Sequence, residues 1–110
     1  MIINLEGISN FDLEQNKISL ICFSAKWCGP CNHMKPILEE ISEEFKDSVD
    51  VYNVDVDVNK EFVDNTFRIP VVPAFYFVKN ETLMSNKENS LTKEQIVNII
   101  NEIKDYGYSK

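Results

Sequence analysis

Along the chain, apolar positions change their spacing several times, and each change predicts a change of element. Short runs rich in β-branched and aromatic residues alternate with longer stretches in which apolar residues recur every three or four positions, the signature of strands interleaved with helices. Residues 1–5 read as a first strand and residues 9–16 as a short helix, with Ser9 or Asn10 as its cap. Ile18–Ser24 is almost continuously apolar, as suits a central strand covered on both faces. From Cys28 to about residue 46, the apolar Met34, Ile37, Leu38, Ile41 and Phe45 fall at helical spacing and predict a long amphipathic helix. Pro36 lies inside it and is expected to kink it, because proline removes one intrahelical hydrogen bond and crowds the carbonyl four residues back.

The second half repeats the alternation. Residues 49–57 alternate Val51, Tyr52, Val54 and Val56 with acids, a strand whose end nears solvent, and residues 59–67 read as a short helix. Residues 74–78, Ala-Phe-Tyr-Phe-Val, form another buried strand, with Phe75, Tyr76 and Phe77 expected in the core. Asn80 and Glu81 turn the chain into a modest edge strand at 82–85. Thr92 with Gln95 three positions on is a capping box. It opens a last helix whose Ile96, Val97, Ile99, Ile100 and Ile103 face inward, with residues 106–110 expected to fray. The expected class is α/β.

A chain of 110 residues with 44% apolar content fits one domain over 1–110, burying roughly two-thirds of the surface its unfolded form exposes. The net charge of -7 is spread along the chain, without a Lys/Arg run that could track a phosphate backbone or an anionic bilayer, so neither nucleic acid nor a membrane is an expected partner. The opening Met-Ile-Ile-Asn-Leu-Glu lacks the basic start and apolar run of a secretory signal, and no window approaches a membrane span; a cytoplasmic location is expected. Three cysteines cannot pair completely, which favours reduced or cycling thiols over a stapled framework.

Two of those cysteines, Cys28 and Cys31, stand three apart in Trp27-Cys28-Gly29-Pro30-Cys31. On a helix that spacing puts both on one face with Cβ atoms about 5–6 Å apart, close enough for a disulfide to open and close in place. A Cys28 at the helix N-terminus meets unpaired N–H groups and the positive end of the dipole, which favour thiolate over thiol, so Cys28 is the expected nucleophile. Cys31, one turn deeper and expected to be less exposed, would resolve the mixed disulfide that Cys28 forms with a substrate. Pro30 falls in the first turn, where its missing N–H costs nothing, Gly29 leaves the approach to Cys28 open, and Trp27 offers an apolar face beside it. No histidine lies between the cysteines to stabilise the thiolate further, and a less stabilised reduced form makes a better electron donor. Zinc sites share the spacing, but zinc needs about four ligands, and beyond the pair only Cys22, within a buried strand, and His33 remain. A purely structural disulfide fits a reducing compartment poorly. His33, two positions past Cys31, points off the cysteine face and reads as a surface residue.

The Trp-Cys-Gly-Pro-Cys segment after Ile-Cys-Phe-Ser-Ala-Lys, Pro36 five residues beyond Cys31, and Val72-Pro73 ahead of an aromatic strand together resemble the thioredoxin family over nearly the whole chain. The resemblance implies a central mixed five-stranded sheet with four helices on both faces, and a redox-active Cys28–Cys31 disulfide with no other cofactor and no metal. It further implies a monomer that reduces disulfide-containing proteins and is re-reduced by a thioredoxin reductase. Pro73 would match the family's cis-proline, and Val72 would pair through its backbone with an extended substrate. Trp27, Gly29, Pro30, Val72 and Pro73 would form the contact surface.

Two positions depart from the family. Its buried aspartate, six residues before the first motif cysteine and associated with the resolving thiol's proton, is Cys22 here, which otherwise reads as a small buried hydrophobe. Asp55, Asp57 or a water are candidate substitutes for the proton role, against a reading of both acids as solvated surface charges. A family glycine in the loop facing the substrate groove is Asn89, a residue that tolerates the left-handed conformation. Two rival readings are an interaction module whose redox cycling is incidental, and an oxidase or isomerase of an oxidising compartment.

Overall fold

The apolar run Ile18–Ser24 is the strand on which the rest assembles: all seven of its residues are buried. A computed structural model of the chain describes residues 2–5, 17–61, 63, 71–80 and 82–108. In chain order the elements are β1 (Ile2–Leu5), β2 (Ile18–Ser24), α1 (Gly29–Glu44), β3 (Val49–Asp55), β4 (Ala74–Lys79), β5 (Thr82–Glu88) and α2 (Lys93–Tyr108). The five strands form one mixed sheet in the order β1-β3-β2-β4-β5. β3 runs parallel to both β1 and β2, whereas β4 is antiparallel to β2 and to β5.

Because side chains alternate across a strand, β2 feeds two different layers. Ile18, Leu20 and Cys22 join Val49, Val51, Phe75 and Phe77 on one face, against Met34, Leu38 and Ile41 of α1 and Ile96, Ile100 and Ile103 of α2. Ile21 and Phe23 join Tyr52, Val54, Val63 and Ala74 on the other, where Tyr76 also packs and meets the Phe23 ring edge-on at 5.3 Å. Phe75 and Phe77 are core residues, as expected, whereas Tyr76 is half-buried at the edge of its cluster. α1 and α2 cover the same face. The backbone turns helical again at Lys60, Glu61 and Val63, with Val63 in the cluster on the opposite face. Asn59, the expected start of that helix, lies in the preceding turn, and residues 62 and 64–67, the expected helix at 9–16 and Pro70 lie outside the described residues.

Several boundaries differ from the sequence expectation, each for a local reason. α1 starts at Gly29 with Cys28 as its cap, and passes through Pro36 without interruption. β3 ends at Asp55, because Asp55 Oδ1 accepts the N–H groups of Asp57 (2.9 Å) and Val58 (3.1 Å) and closes a turn there. β5 extends to Glu88, since β4 offers partners for its whole length, from Lys79↔Thr82 to Ala74↔Glu88. The last helix runs on through Tyr108 instead of fraying from 106. The capping box forms as read, with Gln95 N–H donating to Thr92 Oγ1 (3.1 Å) and Thr92 N–H to Gln95 Oε1 (2.8 Å). Asn80 and Asn89 both adopt positive φ, 51° and 71°. Asparagine at 89 thus takes the left-handed geometry for which glycine is favoured. Among the described residues no helix is long and apolar enough to cross a membrane.

Candidate active site

β2 ends at Ser24 in the middle of the sheet, and α1 begins five residues later, so the intervening loop sits above the carboxyl ends of the parallel strands. That is where open α/β sheets place their sites. Cys28 and Cys31 are joined there as a disulfide, with Cα atoms 5.3 Å apart. Cys28 is the N-cap of α1, in extended backbone geometry, and its Sγ accepts the N–H of Cys31 at 3.1 Å. The first turn of α1 contains no Asp or Glu. Its exposed N–H groups and positive dipole end are thus not neutralised by a carboxylate of the helix's own first turn, and charge on Cys28 can use them.

The two sulfurs do not differ in depth as the sequence suggested. Cys28 is 4% exposed and Cys31 3%, both packed with Ala25, Val56 and Val72. What separates them is position on the helix: Cys28 caps the end and Cys31 lies inside the first turn. Over Cys28 comes the Val72-Pro73 bond, which is cis, with the Val72 carbonyl oxygen 3.8 Å from Cys28 Sγ. Pro73 is buried and Val72 half-buried, and the Pro73 carbonyl accepts the N–H of Asn89 at 2.8 Å, which fixes the neighbouring loop against the site. A Cβ built on Gly29 meets nothing within 4 Å, and Gly29 and Pro30 are exposed, so the approach to Cys28 from that side is open. Trp27 is 71% exposed, an unusual setting for so large an apolar ring, and its indole N–H donates to Asp57 Oδ2 at 2.8 Å. The hydrogen bond to the carboxylate leaves the ring beside Cys28 exposed.

The remaining candidates from the sequence fall into distinct places. Cys22 is a free thiol, 1% exposed, and burial pushes its pKa from 9.0 to about 12. It is a neutral thiol at ordinary pH. Asp57 is engaged with Trp27 and Asp55 with the turn after β3. Neither carboxylate is among the described residues lining the cavity beside Cys31. His33 is exposed on α1. Among the described residues, no group of three or more His, Cys, Asp or Glu could hold a metal ion.

One part of the site was not read from the sequence. β2 and β3 pair with Cys22 opposite Asn53, and β1 and β3 pair with Asn4 opposite Asn53. Ser24 Oγ donates to Asn53 Oδ1 at 2.7 Å, and Asn53 Nδ2 donates to Asn4 Oδ1 at 3.3 Å. A polar, uncharged row therefore runs beneath the start of α1. Register alone could have located it, since parallel pairing of Ile18–Ser24 with Val49–Asp55 puts Asn53 beside Cys22.

Comparison with known proteins agrees with this geometry. The family model described as thioredoxin matches residues 7–102. The thioredoxin of Buchnera aphidicola subsp. Baizongia pistaciae is 34% identical over 97 residues, covering 87% of this chain and 88% of that protein. Chloroplastic thioredoxin Y2 of Arabidopsis thaliana is 39% identical over 88 residues, covering 78% of this chain and 52% of the relative. Among solved structures, the crystal structure of the germline-specific thioredoxin Deadhead of Drosophila melanogaster superposes with a TM-score of 0.72. It covers 79% of this chain and 81% of that one, at 21% identity.

Proposed function

This chain belongs to the thioredoxin family and is a thiol–disulfide oxidoreductase whose redox centre is its own cysteine pair, and on that premise we propose that it reduces disulfides in other proteins. The observation that carries the reading is the placement of the Cys28–Cys31 disulfide at the cap of α1, where Cys28 Sγ already accepts a backbone N–H. In the dithiol form the Cys28 thiolate attacks one sulfur of a substrate disulfide, giving a mixed disulfide and releasing the first substrate thiolate. Cys31, as thiolate, then attacks Cys28 Sγ, restoring the Cys28–Cys31 bond and releasing the second. Two electrons pass from the chain to the substrate. The exposed Trp27 ring, the open side at Gly29 and Pro30, and the Val72-Pro73 turn form the docking surface, with the Val72 backbone pairing with an extended substrate segment.

The donor direction is supported by what surrounds Cys28. Its thiolate is stabilised by the helix end and one N–H, with no histidine between the cysteines, so the reduced form is held less tightly than in a strong oxidant. The partners proposed are disulfide-bonded proteins and a thioredoxin reductase that returns the pair to the dithiol, with the chain acting as a cytoplasmic monomer. The test is catalysis of insulin disulfide reduction with a reductase or a small dithiol as electron source. Turnover well above the uncatalysed rate is expected, and no acceleration overturns the assignment.

A further inference from the structure

A cavity of about 250 Å³ lies between α1 and the sheet face carrying Cys22. It is lined from the strands by Ile2, Asn4, Cys22 and Asn53, and from the helix by Cys31, Lys35, Leu38 and Glu39. Cys31 and Cys22 are buried, whereas Lys35 and Glu39 are exposed. The cavity therefore joins the buried Cys31 to the surface. Its strand walls offer no charge: Asn4 and Asn53 are amides, and Cys22 is a neutral thiol. The charged residues lining it are Lys35 and Glu39, on the same helix wall as Cys31. An adjoining pocket shares Asn4, Lys35 and Asn53 and adds the charged Lys26 and Asp55. Lys35 stands four positions beyond Cys31, so the two side chains are neighbours on one helix face, with Cβ atoms about 5–6 Å apart. Glu39 is a further turn away.

We propose that Lys35, whose side chain lines this cavity, is a positioning residue for the resolving step: its positive charge stabilises the Cys31 thiolate and so sets the pH at which Cys31 becomes reactive. The inference rests on Cys31 being the resolving thiol. The step balances as follows. Cys31 loses its proton to solvent through the cavity, and the thiolate attacks Cys28 Sγ of the mixed disulfide. The Cys31–Cys28 bond forms, the Cys28–substrate bond breaks, and the substrate thiolate leaves with the electron pair and takes a proton from water. A positive charge near the forming anion lowers the cost of the first of these events.

The test uses the reduced, full chain and a chromogenic aromatic disulfide in slight deficit. The first chromophore released reports attack by Cys28 and the second reports resolution by Cys31. For Lys35→Glu, the midpoint of the second phase rises by roughly half to one unit, a three- to tenfold slower resolution at neutral pH, as for an exposed charge reversed beside a titrating group. Lys35→Gln moves it by about half as much, and Lys35→Arg leaves it in place. Glu39→Gln, which leaves Lys35 and removes the carboxylate from the same wall, lowers the midpoint. Lys35 is exposed, so none of these changes disturbs the core. Equal midpoints in all Lys35 variants, or a first phase that moves as far as the second, overturns the proposal. A rise of the midpoint in Glu39→Gln also overturns it, by making Glu39 the proton acceptor. If the native chain gives no second phase, the resolving role of Cys31 fails instead, a result distinct from either.

Discussion

Cys28→Ser is expected to reduce disulfide-reducing turnover to the uncatalysed background while leaving the fold intact. A hydroxyl at this position cannot be ionised by a helix end as a thiol can, and the first bond of the exchange never forms. The structure explains why the fold should tolerate the change. Cys28 caps α1 by accepting the Cys31 N–H, and serine is among the best residues for that role. Its neighbours Ala25, Val56 and Val72 are also little disturbed by exchanging sulfur for the smaller oxygen. Cys31→Ser should behave differently. Attack by Cys28 survives, but the mixed disulfide has no internal thiolate to break it, so substrate accumulates in covalent complex with Cys28. Turnover measured beside electrophoresis without reductant separates the two outcomes. Substantial turnover in Cys28→Ser would place the nucleophile elsewhere.

The second large effect lies at alkaline pH and belongs to Cys22. Its pKa is raised by burial from 9.0 to about 12, so the folded chain keeps the proton in a range where the unfolded chain loses it. A group that binds its proton more tightly when folded contributes stability that is complete below the unfolded pKa. That contribution is lost as pH rises through the folded one. Stability should therefore fall between about pH 9 and pH 12, and with about 1.4 kcal/mol per unit the loss attributable to Cys22 is roughly 2–3 kcal/mol by pH 11. Cys22→Ala removes the titrating group at the cost of a small void beside Leu20, Met34 and Phe75, about 1 kcal/mol. The variant should be the less stable protein at pH 7 and the more stable at pH 11. Denaturant melts at both values check this, and a stability difference that keeps its sign across the range would contradict it.

Much of this arrangement was legible in the sequence because the relevant signals are local. The almost continuously apolar run of β2, the three-and-four spacing of α1 and the Thr92–Gln95 capping box are each decided within a few residues, and the strand, the helix and the cap all formed, with α1 one residue later at its start than read. Cys28 at the helix start followed from the same local logic, since the residue opening an amphipathic stretch is its cap. Features that depend on residues distant in sequence were not legible. Trp27 and Asp57 are thirty positions apart, and only the turn that Asp55 closes after β3 brings the second carboxylate to the indole. The cavity beside Cys31 draws on β1, β2, β3 and α1 at once, so nothing local to Lys35 marks it in the sequence as part of the site. The equal burial of the two cysteines also has a non-local cause, the packing of Val56 and Val72 from later in the chain over the disulfide.

The position where an acid was expected shows how composition and context combine. Cys22 faces a layer made of Leu20, Met34, Leu38 and Phe75, and its strand neighbour across β3 is the amide Asn53. An ionised carboxylate there would be surrounded by hydrocarbon and amides without a cation from the strands, a costly burial. A thiol fits the same space as a small hydrophobe. The charge that influences Cys31 then has to come from the helix side, where Lys35 stands.

The central claim is tested most directly by a single oxidation without any other reductant. The fully reduced chain is mixed with excess insulin, quenched, unfolded and alkylated, and its cysteines are mapped by mass. The account predicts one Cys28–Cys31 disulfide formed and two insulin thiols released per chain, with Cys22 alkylated as a free thiol. A pair that remains reduced, or a disulfide that includes Cys22, would contradict it.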